Sequence, residues 1–254
     1  MSKTVIEAKI LSQDCIATDI YSMVIEAPSI ACEARPGQFL SLYTSDSGKL
    51  LPRPISICDA DAEAGSIRMV YRIAGEGTRL FSALTAGDTI RVAGPMGNGY
   101  TLLDKSAILI GGGIGIPPML FLAKKLEAKK TIVLGFRDEE FLSDEFAPYG
   151  EIVKASDAGN IGFKGTVMDA IREAGVTGEV IYACGPTPML KAIQTYAAEQ
   201  GLLAYISLEE RMACGIGACL ACVCKTKEID DHSKVNNTRI CADGPVFNAG
   251  KVVL

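Results

Sequence analysis

Up to about residue 100 the chain is built from short apolar-rich runs with a period near two. They cover residues 3–11 (KTVIEAKIL), 20–27 (IYSMVIEA), 38–44 (QFLSLYT), 55–60 (ISICDA), 66–73 (SIRMVYRI) and 88–94 (DTIRVAG). Turn residues separate them, among them Arg35-Pro36-Gly37, Asp46-Ser47-Gly48 and Ala86-Gly87-Asp88. Short strands at even spacing predict a closed antiparallel barrel or a sandwich. Within this stretch residues 78–84 predict one short helix.

From about residue 104 the rhythm changes to strand–helix alternation. SAILIGGG predicts a strand running into glycines, and residues 117–129 a helix with proline in its first turn. Strands follow at 131–136, 151–156, 179–185 and 203–208, and helices at 139–146, 167–175 and 187–201, the last closed by Gly201. This order implies right-handed βαβ units and a parallel sheet covered on both faces. From about 207 the chain is rich in Cys and Gly and short of apolar runs, too small to be held by a core alone. The expected units are 1–100, 101–206 and 207–254.

Composition narrows the function. Lys and Arg number 25 against 30 Asp and Glu, so the net charge is −5, and aromatics are 6% with no Trp. An acidic chain without basic runs or stacking platforms is no nucleic-acid binder. One histidine, His232, excludes His-rich metal sites and Rieske centres. The start, MSKTVIEAKIL, has no apolar signal-peptide core. Ser106–Ala123 is uncharged and near membrane-spanning length, but its glycines and Pro117-Pro118 favour strand, turn and helix. The expectation is a cytoplasmic protein with no membrane span, in which thiols stay reduced unless they ligate metal or do redox work.

Nine cysteines then become the strongest signal. Cys214, Cys219 and Cys222 are spaced C-x4-C-x2-C, and Cys241 follows 19 positions later. That is the plant-type [2Fe–2S] spacing. A tetrahedral zinc site, which prefers paired C-x2–4-C ligands, is the competing reading. Cys224 is off the pattern and reads as a buried free thiol. Gly111-Gly112-Gly113-Ile114-Gly115 ends a strand and opens a helix, as pyrophosphate-binding turns do, although Pro117 stands where a third fingerprint glycine is expected. A plain βα turn would look the same. Cys184-Gly185-Pro186-Thr187-Pro188-Met189 also falls at a strand's C-terminal end, the ligand-binding edge of such sheets, though Cys184 also reads as a small buried hydrophobe. Asp138, Glu139 and Glu140 after the next strand would repel a 2′-phosphate and favour NADH, unless they are a solvated charge run. Arg53, held between Pro52 and Pro54, with Ser56, Gly75-Glu76-Gly77-Thr78 and Gly94-Pro95-Met96-Gly97-Asn98, suits a flavin pyrophosphate.

In this order the motifs resemble those of the ferredoxin–NADP reductase superfamily, and the resemblance covers nearly the whole chain. SLEERMACGIGACLACVCK with ICADGPVF is closer still to the electron-transfer subunits of B-type dihydroorotate dehydrogenases. The resemblance implies an antiparallel Greek-key FAD-binding barrel, a doubly wound nicotinamide-binding α/β domain and a small [2Fe–2S] lobe. It assigns Arg53, Pro54, Ile55, Ser56, Gly77 and Thr78 to FAD. Gly112, Gly113, Cys184, Gly185 and Pro186 fall to NAD(H), and Cys214, Cys219, Cys222 and Cys241 to the cluster. Ile55 departs from the superfamily, where many members carry a flavin-covering Tyr.

The implied chemistry is electron transfer. NADH gives a hydride, a [2Fe–2S] cluster takes one electron, and flavin converts between them. The chain has no room for a (β/α)₈ barrel of about 250 residues, so dihydroorotate oxidation falls to another chain. The implied partner is an FMN-containing dihydroorotate dehydrogenase catalytic subunit in a 2+2 heterotetramer serving pyrimidine biosynthesis. The alternatives are a related reductase subunit for sulfide- or ferredoxin:NADP-linked chemistry, a stand-alone reductase with a diffusing acceptor, and a zinc-stabilised binding module.

Overall fold

A computed structural model describes residues 4–229 and 234–254; Lys3 and His232 lie outside the described residues. Along the first hundred residues run β1 (Thr4–Ala17), β2 (Ile20–Glu26), the single turn α1 (Pro28–Ala31), β3 (Phe39–Tyr43), β4 (Arg53–Asp61), β5 (Ser66–Arg72), α2 (Glu76–Ser82) and β6 (Thr89–Met96). They close into a barrel in the order β1-β2-β5-β4-β3-β6, each strand antiparallel to its neighbours. The period-two pattern explains the closure: alternate residues such as Ile10, Met23, Ile25, Leu40, Leu42 and Ile57 point inward and are fully buried.

The second unit contains β7 (Ala107–Gly112), α3 (Ile116–Lys125), β8 (Lys130–Phe136), β9 (Glu151–Ser156), β10 (Phe163–Lys164), α4 (Val167–Glu173), β11 (Val180–Cys184), α5 (Thr187–Gln200) and β12 (Leu203–Ser207). The last stretch adds β13 (Val223–Thr226), β14 (Asn237–Arg239), β15 (Val246–Asn248) and β16 (Val252–Val253). The main sheet runs β10-β9-β8-β7-β11-β12-β15, and all its pairs are parallel except β12–β15. Side chains along the central strands alternate between two cores. Leu109, Ile132 and Tyr182 pack with α3, whereas Ile110, Val133 and Ile181 pack with α4 and α5. Ser106–Ala123 is therefore β7, a tight turn and most of α3, and no helix among the described residues is long and apolar enough to cross a membrane.

Two expectations need correcting. The helix expected over 139–146 is only one 3-10 turn, Ser143–Phe146, preceded by Leu142 at φ 61°. Phe141 turns inward onto Phe136, with ring centroids 5.9 Å apart, and Glu139 and Glu140 are drawn to partners elsewhere, so the segment cannot wind. The helix expected to reach 129 ends at Lys125, because Leu126 turns extended and is buried.

The barrel and the α/β unit are docked firmly. Phe121 of α3 sits in the barrel core. Lys124 pairs with Asp59 at 2.5 Å, Arg68 forks onto both Glu145 oxygens at 2.6 and 3.0 Å, and Glu139 accepts the Thr18 amide at 2.9 Å. A forked guanidinium on a carboxylate fixes orientation as well as distance.

Candidate functional site

Arg53 begins β4, and its Nη1 donates to Leu51 O at 2.5 Å. That bond aims the guanidinium at the start of α2. A Cβ at Gly77 would lie 2.0 Å from Arg53 Nε, so only glycine admits the arginine there. Thr78 shapes the same turn: its hydroxyl accepts from the Ala74 and Gly75 amides at 2.9 and 3.2 Å and donates to Gly75 O. Lys49 neutralises Glu76 at 2.6 Å. Arginine, glycine cradle and helix start are a set of groups that could hold a diphosphate. Pro54, Ile55 and Ser56 continue along β4, half-buried, with Ile55 packed on the barrel core.

The strand order reverses between β7 and β11, so the turns after their C-terminal ends are the two lips of the edge at which such sheets bind ligands. Gly112 and Gly113 stand at one lip, and Cys184, Gly185 and Pro186 at the other. The lips touch: a Cβ at Gly115 would lie 2.3 Å from Cys184 O. Cys184 is part-exposed as a residue, yet burial pushes its thiol up to about 12 and keeps it neutral. The neighbouring acids are mostly occupied. Glu139 serves the barrel contact with Thr18, Glu140 pairs with Lys154 and Ser143, and Asp138 lies exposed beside Arg137. They do not form the expected negative cluster at a ribose, so the basis for NADH over NADPH shrinks to Asp138.

The four expected cluster cysteines converge in two pairs, Cys214 with Cys219 and Cys222 with Cys241, whose side chains interact. Backbone amides are aimed at the sulfurs. Ile216, Ala218 and Cys219 donate to Cys214 Sγ at 3.3–3.4 Å, Gly217 donates to Cys241 Sγ at 3.1 Å, and Cys241 donates to Cys222 Sγ at 3.4 Å. The amide of Ile216, joined by those of Cys219 and Ala218, holds the Cys214 thiol down to about 6; burial and Cys222 push Cys241 up to about 12. Among the described residues no three His, Cys, Asp or Glu side chains meet at a single-ion site. Two thiol pairs with amides on their sulfurs fit a two-iron cluster, whose sulfurs such N–H groups stabilise. Cys224 lies on β13 against the same core, and burial pushes its thiol up to about 11.

The lobe is set against the barrel. A Cβ at Gly215, inside the cysteine loop, would lie 3.1 Å from Ser41 Oγ, and Ser41 pairs with Pro54 in β4. Phe39, Ala93 and Met96 share one core with Met212, Cys222 and Cys241. One sequence expectation fails at this junction. Gly94-Pro95-Met96-Gly97-Asn98 does not offer its amides to a flavin, because Asn98 N already donates to Gly244 O at 2.6 Å and Gly97 packs on Pro245. The sequence reading missed that junction, and it missed β15, which carries the cluster segment onto the edge of the α/β sheet.

Comparison with known proteins agrees with this geometry. A family model described as the iron-sulfur cluster binding domain of dihydroorotate dehydrogenase B matches residues 209–253, and one described as an oxidoreductase FAD-binding domain matches residues 2–100. The dihydroorotate dehydrogenase B (NAD(+)) electron transfer subunit of Geobacillus sp. (strain WCH70) is 44% identical over 249 residues, 94% of this chain and 95% of that one. The subunit of the same name from Listeria monocytogenes serotype 4a (strain HCC23) is 44% identical over 257 residues, 98% of each chain. A solved NADH-dependent reduced ferredoxin–NADP oxidoreductase superposes with a TM-score of 0.87 at 31% identity, covering 97% of this chain and 89% of its own. The FAD/NAD-binding domain of a Vibrio cholerae nitric oxide dioxygenase, at TM-score 0.65 and 16% identity over 77% of this chain and 93% of its own, shares the fold alone. With identity of this order over almost its whole length, the chain belongs to the family of dihydroorotate dehydrogenase B electron transfer subunits.

Proposed function

We propose that this chain passes electrons between NAD(H), FAD and a [2Fe–2S] cluster, to or from an FMN-containing dihydroorotate dehydrogenase catalytic subunit in pyrimidine biosynthesis. The observation that carries the reading is the placement of the cysteine loop against Ser41, the strand partner of Pro54. A one-electron centre thus adjoins the strand expected to hold the two-electron carrier. In this reading Arg53, Pro54, Ile55, Ser56, Gly77 and Thr78 hold FAD; Gly112, Gly113, Cys184, Gly185 and Pro186 receive the dinucleotide. Cys214, Cys219, Cys222 and Cys241 ligate the cluster. Bound FAD supplies the conversion from hydride to single electrons. The chain's residues bind, orient and separate the groups, and none serves as an acid or base. The three units are 1–100, 101–206 and 207–254, with the last contributing β15 to the sheet of the second.

A 2+2 assembly in the cytoplasm completes the reading. None of the nine cysteines is in a disulfide, in keeping with a reducing compartment. Ile216 and Leu220 of the cysteine loop are 53% and 61% exposed, an apolar surface beside the cluster that suits a lasting interface. The likeness to a ferredoxin–NADP oxidoreductase supports a second reading, with a ferredoxin-linked partner. Size-exclusion chromatography of this chain mixed with an FMN-containing dihydroorotate dehydrogenase subunit separates the two. Co-elution with dihydroorotate-dependent NAD⁺ reduction across the peak is expected. Separate elution without that activity favours the ferredoxin-linked reading.

A further inference from the structure

Asn98 follows the last barrel strand by two residues and spends its whole side chain on the cluster lobe. Nδ2 donates to Asp243 O and Val246 O, both at 3.0 Å, and Oδ1 accepts from Val246 N at 3.1 Å. Its backbone amide adds the bond to Gly244 O at 2.6 Å. Both amide donors and the acceptor are therefore used on one four-residue stretch. Next to it, a Cβ at Gly97 would lie 2.5 Å from Pro245 Cδ and 2.6 Å from Gly244 O, so only glycine lets the two segments close on each other. The gripped stretch begins two residues after Cys241. A second contact with the barrel, Gly215 against Ser41, falls one residue after Cys214, and Phe39, Ala93 and Met96 pack on Cys222 and Cys241 between them. The cysteine set is thus pinned to the barrel from both ends.

We propose that Asn98 is a positioning residue for electron transfer: its clasp on Asp243–Val246 sets the gap between the flavin and the cluster. The proposal rests on the functional reading above. In the step concerned, reduced flavin loses one electron and the oxidised cluster gains it, with no bond made or broken between either group and the protein. Tunnelling between the two falls steeply with separation, so a lobe that shifts on its remaining contacts when the clasp is loosened transfers more slowly. Hydride delivery is a separate matter. The nicotinamide unit docks through Phe121, Lys124–Asp59 and Arg68–Glu145, and Asn98 takes part in none of these contacts.

The test uses the full chain loaded with FAD and iron, as parent, Asn98→Ala and Asn98→Asp. Alanine removes the three side-chain bonds and keeps the backbone bond to Gly244 O. Aspartate keeps the acceptor for Val246 N but sets a carboxylate oxygen against two carbonyls. Flavin reduction by NADH is followed by stopped flow, and flavin-to-cluster transfer by cluster absorbance after flash photoreduction of the flavin. Both variants are expected to keep parental iron, FAD and hydride-transfer rate, while cluster reduction slows several-fold, more so with aspartate. Parental cluster reduction in both variants overturns the proposal. So does loss of iron from both, which would make Asn98 a folding residue of the lobe. A parent that holds neither FAD nor iron overturns the functional reading itself.

Discussion

Serine at Cys214, Cys219, Cys222 or Cys241, introduced singly, is expected to abolish stable [2Fe–2S] binding, whereas serine at Cys224 leaves both irons in place. The four targets form the two interacting pairs, and Cys214, Cys222 and Cys241 each accept backbone amides at 3.1–3.4 Å. Serine is a poor ligand for iron in such a setting, and the lobe has little else to hold it: its three-stranded sheet is built from strands of two to four residues. Binding of the cluster and folding of the lobe are therefore linked, as in small metal-held domains. Iron analysis, the visible spectrum and limited proteolysis of residues 209–253 read the outcome. Cys224→Ser swaps a half-buried thiol for a hydroxyl, at a cost of about 1 kcal/mol in stability, near the centre of point-mutant effects. Iron lost from Cys224→Ser but kept by Cys241→Ser would show the ligand set to be wrong.

Arg53→Ala is expected to weaken FAD binding about ten- to a hundredfold, since a hydrogen bond to a charged group contributes about 1.5–3 kcal/mol. Gly77→Ala is expected to do the same without touching the charge. Its Cβ would lie 2.0 Å from Arg53 Nε and displace the guanidinium from the start of α2. Arg53→Lys, which keeps the charge but loses the fork, should fall between parent and alanine. Equilibrium dialysis with flavin fluorescence measures all three. Full FAD retention by Arg53→Ala after extensive dialysis would take this residue out of the site. A normal Gly77→Ala beside a deficient Arg53→Ala would mean that the guanidinium binds in another pose.

The elements legible in the sequence were those with a long period. The six barrel strands and the five principal strands of the parallel sheet each repeat apolar positions often enough to declare their type. What the sequence hid was non-local. β15 is three residues long and shows no period; it is a strand because Val246–Asn248 meets the free edge of β12. Glu139 and Glu140 look like a charged cluster at a cofactor edge, and their neighbours in sequence give no sign that Thr18 and Lys154 claim them. Asn98 sits in a Gly-rich turn of the kind that binds phosphates, yet its partners lie about 145 residues away. The cluster cysteines were readable because their chemistry fixes spacing within one loop. The clasp that places the loop has no such local signature.

The central claim is that one chain links a hydride donor to a one-electron exit through a flavin. Anaerobic titration of the purified protein with NADH, followed by visible absorbance and low-temperature EPR, tests it most directly. The account predicts that the flavin bleaches and that a reduced [2Fe–2S] signal grows as NADH is added; cluster-free variants keep the bleaching and lose the signal, and FAD-free variants lose both. A cluster that dithionite reduces but that stays oxidised while NADH fully bleaches the flavin would contradict it.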